Sequence, residues 1–260
     1  MNRRHLALVA VIATLALSGC TGVFGPEPSD PDRLNQNASY DWDTTEDATI
    51  VVNRSSYTAV YDVENRSTFE VYTRSGLGRE RSVPIRGLRF RYENGTVIAP
   101  ANSSLAATEG SQRTEIQFGE NVSGEVAFTA PRSGKQFTTP TLVEGGAYAV
   151  TLPPGARVGI PLLSQVTPGG PETAVDSETD RMTLSWEAVD TQMLSVRYYL
   201  QRDLLLFGGL TAVGIVVAIV GSVYYYRQLQ AVKRRREEAG IDIEEEDDDP
   251  RDRGPPPGMR

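Results

Sequence analysis

Histidine and cysteine occur once each, as His5 and Cys20, both in the N-terminal segment. Beyond Cys20 the chain has no imidazole and no thiol. That excludes Ser-His-Asp and Cys-His nucleophilic chemistry, and any metal centre built on histidine or cysteine. It also excludes intramolecular disulfides, although most of the chain reads as exported. Lysine is nearly absent: Lys135 and Lys233 are the only two, and arginine supplies the remaining basic charge. There is no G-x-x-x-x-G-K-[ST] loop and no G-x-G-x-x-G after a strand, so no nucleotide cofactor is expected. The formal charge of -8 argues against a nucleic-acid partner. An acidic surface poor in lysine fits solubility in concentrated salt.

What the chain does have is apolar runs at its two ends. Leu204 to Tyr226 reads LLLFGGLTAVGIVVAIVGSVYYY, bounded by Asp203 and Arg227. A bilayer core needs roughly 20 apolar residues in a helix, so residues 203–226 are expected to span a membrane. Arg227 and Lys233 to Arg236 follow the run, and basic residues flanking a span mark its cytoplasmic side. Tyr224, Tyr225 and Tyr226 fall where an interfacial aromatic belt sits. Gly214, Ala218 and Ser222 recur at four-residue spacing, a stripe that permits close helix packing and self-association.

At the other end, Arg3 and Arg4 precede the apolar run Leu6 to Leu17, too short to span and of signal-peptide size. Arg3-Arg4-His5-Leu6-Ala7 also looks like a twin-arginine export motif. Leu17-Ser18-Gly19-Cys20 resembles the lipobox of prokaryotic lipoproteins, in which the cysteine receives lipid. The only thiol in the chain stands where that motif requires it. Residues 1–19 are thus expected to be a signal peptide and Cys20 a lipidation site. Residues 20–47, rich in Pro, Asp, Asn and Ser, are expected to be a disordered tether. Asp41, Asp43, Glu46 and Asp47 cluster there without the spacing of a calcium loop, and read as solvated acids.

From residue 48 to 202 the periodicity is two rather than 3.6. Tyr57, Ala59, Tyr61 and Val63 share one face, as do Phe69 and Val71. Leu88, Phe90 and Tyr92 alternate with Arg89 and Arg91. Ile116 with Phe118, Val126 with Phe128, the run Met182, Leu184, Trp186, and the run Leu194, Val196, Tyr198 repeat the scheme. Asn94-Gly95 is a hairpin turn, and Pro153-Pro154-Gly155 and Pro168-Gly169-Gly170-Pro171 break the runs. The expectation is a mostly β domain, an antiparallel β-sandwich. It lacks the Cys-Trp-Cys hallmark of a true immunoglobulin domain. Residues 227–260, with the acidic run Glu244 to Asp249 and the prolines Pro255 to Pro257, are expected to be a disordered cytoplasmic tail.

Asn37, Asn53, Asn65, Asn94, Asn102 and Asn121 each open an N-x-S/T sequon, and all precede the span, the side a glycan requires. Catalytic residues are harder to find. Ser133-Gly134-Lys135 lacks the spacing of a Ser-Lys dyad. Carboxylate pairs suited to glycoside hydrolysis are too numerous to choose between. Arg86, Arg89 and Arg91 form a stripe that reads as a solvated face paired with acids rather than an anion site. No catalytic, cofactor-binding or metal-ligating residue is assigned.

The layout as a whole resembles an uncharacterised family of haloarchaeal membrane lipoproteins with a β-rich ectodomain and a C-terminal transmembrane helix. The resemblance rests on Arg3-Arg4, Leu17 to Cys20, the lysine-poor composition and Leu204 to Tyr226. It implies anchoring, and only Cys20 carries over as a functional position. The expected function is a non-catalytic surface module that binds or organises the envelope. Its expected partners are membrane lipid and other envelope or membrane proteins. A surface glycan hydrolase and an accessory subunit of a membrane complex are the alternatives.

Overall fold

The computed structural model of the protein describes residues 25–74 and 78–238. Residues 1–24 and 239–260 lie outside the described residues, and with them the signal peptide, Cys20 and the acidic run.

The elements in chain order are β1 (Glu27–Pro28), the one-turn helix α1 (Pro31–Leu34), β2 (Ala48–Val52), β3 (Ser56–Arg74), β4 (Glu80–Ser82) and β5 (Arg86–Tyr92). β6 (Val97–Ile98), β7 (Ala106–Glu109), β8 (Thr114–Pro131), β9 (Gln136–Pro140), β10 (Tyr148–Thr151) and β11 (Ala156–Arg157) follow. Then come β12 (Gln165–Thr167), β13 (Glu172–Asp176), β14 (Arg181–Trp186), β15 (Met193–Arg197), β16 (Tyr199–Leu200) and the helix α2 (Gln201–Glu238). The domain is mostly β, as the periodicity predicts. An 11-stranded sheet runs β1-β7-β8-β3-β2-β10-β14-β13, with β4 on β3, β5 on β8 and β6 on β5. A three-stranded sheet runs β12-β15-β9, and β11 pairs with β16.

The spine is the long antiparallel pair β3 and β8. The far edge of β8 changes partner along its length: Thr114 to Gln117 pair with β7, whereas Gly124 to Thr129 pair with β5. Gly119, between the two halves, and Gly124, at the start of the second, both take positive φ. On β3 the register slips between Val63 and Thr68, where Asn65 takes a positive φ of 46°. These irregularities bend the ribbon and let one strand serve two neighbours.

The apolar positions of the period-two pattern face the core. Ala48, Ile50 and Val52 of β2 alternate with half-buried residues, as do Met182, Leu184 and Trp186 of β14. Phe137, Leu194 and Val196 of the small sheet belong to the same buried cluster as Tyr57, Tyr61 and Phe128. Tyr57 meets Phe137 edge-on at 5.1 Å between ring centroids, joining the two sheets. One pair departs from an all-antiparallel plan: β2 and β10 run parallel, with Ala48 opposite Tyr148 and Ile50 opposite Val150. A parallel neighbour requires a long crossover, and everything from β3 to β9 lies between these two strands.

Residues 25–47 correct the tether expectation. Asp30 caps α1 by accepting the Asp32 N–H at 3.0 Å, and Leu34 is buried in the core. Arg33 reaches Glu109 at 2.7 Å, and β1 pairs with β7. Tyr40 donates its hydroxyl to Gly87 O at 2.7 Å, and Arg91 donates to Trp42 O at 2.6 Å. From Gly25 on, this segment is a strap folded onto the domain. Its composition is too polar to fold by itself, but it does not have to: it pairs with β7 and hydrogen-bonds to β5.

That packing hinges on Gly87, whose φ is +63° and whose missing Cβ would lie 2.7 Å from Ala38 Cβ and 3.0 Å from Tyr40 Oη. Gly87→Ala should displace the strap at a cost of about 1–3 kcal/mol. Faster amide exchange over residues 33–43 than in the parent protein is the expected reading. Unchanged protection there would show that the strap does not depend on this contact.

The helix α2 starts before the expected Asp203 and continues past Arg227 to Glu238, so residues 227–238 of the expected disordered tail are helical. RQLQAVKRRREE is made of helix formers, and Arg235 and Arg236 lie in the last turn, where they complement the helix dipole. From Gln201 to Arg236 it is long and apolar enough to cross a membrane. Leu205, Phe207, Leu210 and Val217 are each more than 60% exposed, so apolar residues clothe it on all sides rather than as one stripe.

Candidate functional site

Among the described residues three clefts on the β domain hold chemistry-bearing side chains; one, of about 520 Å³, lies at the start of the strap, where Arg33 and Glu109 pair. Of the other two, the first, of about 430 Å³, lies where the strap enters β2 and is lined by Glu46, Asp47, Asp62, Arg91, Glu93 and Glu125 among others. Arg91 is already committed: Nε donates to Glu125 Oε2 at 2.6 Å, and the guanidinium sits 5.4 Å over the Trp42 ring. Asp47 accepts the Ala147 N–H at 2.7 Å, which closes the turn before β10. Asp62 accepts the Val63 N–H at 2.9 Å. Burial raises the Asp62 carboxyl above its ordinary value, repulsion from Glu64, Asp47 and Glu93 adds to this, and the Val63 bond opposes it. Among the described residues no three His, Cys, Asp or Glu converge to hold a metal ion.

A carboxylate with a raised folded pKa lowers stability once pH exceeds that value, and the loss disappears below the ordinary value of 3.8. Asp62→Asn keeps the acceptor oxygen and removes the charge. It should raise the thermal midpoint at pH 7, and the gain over the parent protein should shrink on acidification and vanish below pH 3.8. A gain independent of pH would place the cause elsewhere.

The second cleft, of about 360 Å³, lies between β4 and β9 and is lined by Tyr57, Tyr72, Val83, Pro84, Arg132 and Phe137 among others. Arg132 Nη1 donates to Asn53 O at 3.1 Å and to Tyr198 Oη at 2.6 Å. Its Nη2 donates to Gly134 O, and the guanidinium lies 5.6 Å over the Tyr198 ring. Arg132 therefore ties the β8–β9 turn to the end of β15. Ser133 and Lys135 are exposed in that turn.

The arginine stripe is structural. Arg91 binds Glu125 and Trp42, while Arg89 donates to Leu88 O at 2.7 Å and Gln36 O at 3.1 Å. Arg86 is exposed. The periodicity placed these side chains on the outer face of β5, but it gave no hint that the strap lies across them.

Of the sequon residues, Asn37, Asn65, Asn94, Asn102 and Asn121 are exposed. Asn94 sits at the tip of the β5–β6 hairpin, its Oδ1 accepting the Thr96 N–H at 2.9 Å. Asn53 differs: it is half-buried, and its Oδ1 accepts from Arg181 at 3.1 Å. On α2, Gly214, Ala218 and Ser222 lie on open helix surface, and the Ser222 hydroxyl donates to Ala218 O at 2.8 Å within the helix. Cys20 lies outside the described residues.

A mostly β domain with acidic and arginine-lined clefts, followed by one helix apolar enough to cross a bilayer, defines the class of protein. Within that class the chain belongs to a family of unknown function (DUF5803), whose match covers residues 44–244. The match takes in the domain from Thr44 and the whole apolar helix, so these two belong to one family unit. No curated protein and no solved structure matches the chain.

Proposed function

We propose that the protein is an exported, lipid-modified surface protein whose β domain binds or organises envelope components without catalysis. The observation that carries this reading is the helix Gln201–Arg236, apolar on every side and joined directly to a folded β domain. The domain lies outside the cell, the helix spans the membrane, and the residues after Arg227 lie in the cytoplasm. The basic cluster Arg227 to Arg236 supports that orientation, as does the confinement of the sequons to the N-terminal side. Cys20 carries lipid and gives a second anchor. The acidic, lysine-poor composition fits a halophilic archaeal source.

Mass spectrometry of the membrane-extracted protein tests the anchor. A chain beginning at Cys20 with an added diacylglyceryl mass is expected. An intact Met1 or an unmodified Cys20 would remove the lipoprotein reading. Glycopeptide mapping should find sugar at exposed sequons such as Asn94 and none at Asn53. For the binding role, labelled full-length protein in detergent should retain envelope components on an affinity column, and a column that retains none would count against it.

One observation favours a second reading. The acid-rich cleft contains Asp62, whose raised pKa suits a proton donor, beside Glu46, Asp47 and Glu93, which could serve as its carboxylate partner in glycoside hydrolysis. Release of reducing sugar from surface polysaccharide, abolished by Asp62→Asn, would establish it. Release that survives the substitution would not come from this site. The third reading, an accessory subunit docked through Gly214, Ala218 and Ser222, requires cross-links across that face in the bilayer.

A further inference from the structure

The β domain hides nearly all its large apolar side chains. Among the described residues before the helix, Val97 and Val175 are exposed singly, 47% and 49%. The exception is the loop between β11 and β12, where Ile160 is 37%, Leu162 94% and Leu163 42% exposed. Three neighbouring aliphatic side chains facing water are unusual for an isolated domain surface.

The loop is a closed turn. The Ile160 carbonyl accepts from Leu163 N at 3.1 Å, from Ser164 N at 3.0 Å and from the Ser164 hydroxyl at 2.9 Å. Gly159 N donates to Ser164 Oγ at 2.9 Å, and Leu162 holds a φ of +72°. Pro161 has no N–H to donate. The N–H groups of Gly159, Leu163 and Ser164 are thus bonded within the loop, which lowers the cost of moving this tip out of water into the headgroup region.

Both feet of the loop are tied to the last residues before the helix. Arg157 lies opposite Tyr199 in the β11–β16 pair, and Gln165 lies opposite Arg197 in the β12–β15 pair. Gln201 N donates to Gly155 O at 3.0 Å. Because β12 runs antiparallel to β15, the chain just before Gln165 lies toward the end of β15 that leads to the helix. Leu204, the first apolar residue of the span, is four residues beyond Leu200. Four extended residues reach at most about 14 Å. The feet of the loop are therefore held within a short chain length of the point where the polypeptide enters the apolar phase, Ala156 opposite Leu200 being the nearer. An exposed Arg197 and a half-buried Tyr199 stand at its feet, the residue types that settle at a membrane interface.

We propose that Ile160, Leu162 and Leu163 insert into the headgroup and upper acyl region of the membrane leaflet from which the helix enters. The occupant of this surface is the lipid bilayer, chosen because the chain itself delivers the loop to it. The proposal rests on the reading that Leu204 to Tyr226 spans a membrane. It adds a docked attachment that orients the domain on the bilayer.

The test uses the full chain in lipid vesicles with Cys20→Ala, so that an introduced cysteine is the only thiol. Nitroxide labels go singly at Leu162→Cys, at Asn94→Cys on the hairpin tip, and at Val213→Cys in the span. Collision with oxygen, which partitions into lipid, is compared with collision by a water-soluble nickel chelate. The oxygen-to-nickel ratio at position 162 should exceed that at position 94 several-fold and fall below that at position 213. A ratio at 162 equal to that at 94, with 213 shielded from nickel, overturns the loop insertion and leaves the span intact. Shielding of 162 from both reagents places the loop against protein and also overturns it. Nickel access at 213 removes the spanning reading, and the loop proposal with it. Position 162 is 94% exposed, so the label does not disturb the core.

Discussion

Gly124→Ala should remove roughly 4 kcal/mol of stability, enough to lower the thermal midpoint by about 10 °C in a domain of this size. Gly124 sits on β8 between two partners, opposite Val63 of β3 and Tyr92 of β5. Its φ is +147°, and an added Cβ would lie 2.2 Å from Arg91 O and 3.1 Å from Phe90 Cζ. Neither neighbour can yield easily. Arg91 is fastened by Glu125 and Trp42, and Phe90 is fully buried. Relief requires opening the ladder between β5 and β8, which also disturbs the wall of the acid-rich cleft. Gly95→Ala is the control. Its φ is +81° with nothing within 4 Å of an added Cβ, so it carries backbone strain alone, about 1 kcal/mol. If calorimetry found equal losses for the two variants, the close approach of β5 to Gly124 would be wrong.

Phe128→Ala should cost about 3–5 kcal/mol, the range for deleting a buried aromatic ring. Phe128 is fully buried at the centre of a ring cluster. It stacks on Tyr61 at 6.0 Å and meets Tyr57 edge-on at 6.4 Å. Tyr57 continues to Phe137 on β9, and Tyr61 to Phe69 further along β3. The cavity would lie where the two sheets share a core, so amide exchange should accelerate in β9 and β15 as well as in β3 and β8. Phe207→Ala on the apolar helix, where the side chain is 72% exposed, should leave the unfolding of the β domain unchanged. A loss below about 1 kcal/mol for Phe128→Ala would mean that the cluster is not close-packed.

Much of the core was legible because a strand with one wet face writes its burial into every second residue. Tyr57, Ala59, Tyr61 and Val63, or Met182, Leu184 and Trp186, need no partner to be named before they can be read as inward. The strap was not legible. Between Gly25 and Asp47, Leu34 alone is an apolar side chain buried in the core, and Tyr40 and Trp42 act through contacts to Gly87, Thr129 and Arg91. Composition measures what a segment can bury by itself, and this one buries surface supplied by strands far along the chain. The acid-rich cleft was hidden for the same reason. Glu46, Asp47, Asp62, Glu93 and Glu125 come from four separate stretches, and in sequence they do not stand out from the many other acids.

The sequence by itself determined the mostly β domain, the apolar helix that follows it, and the absence of histidine and thiol chemistry beyond Cys20. Each depends on periodicity, run length or residue type, which are local properties. Only the tertiary structure decided that β2 and β10 run parallel, that β8 divides its edge between β5 and β7, and that the Asp62 carboxyl is raised while Arg91 is paired with Glu125. It also decided that Leu162 stands exposed on a loop tied to Arg197 and Tyr199. These features arise where surfaces distant in the chain meet, and local pattern holds no record of which surface meets which.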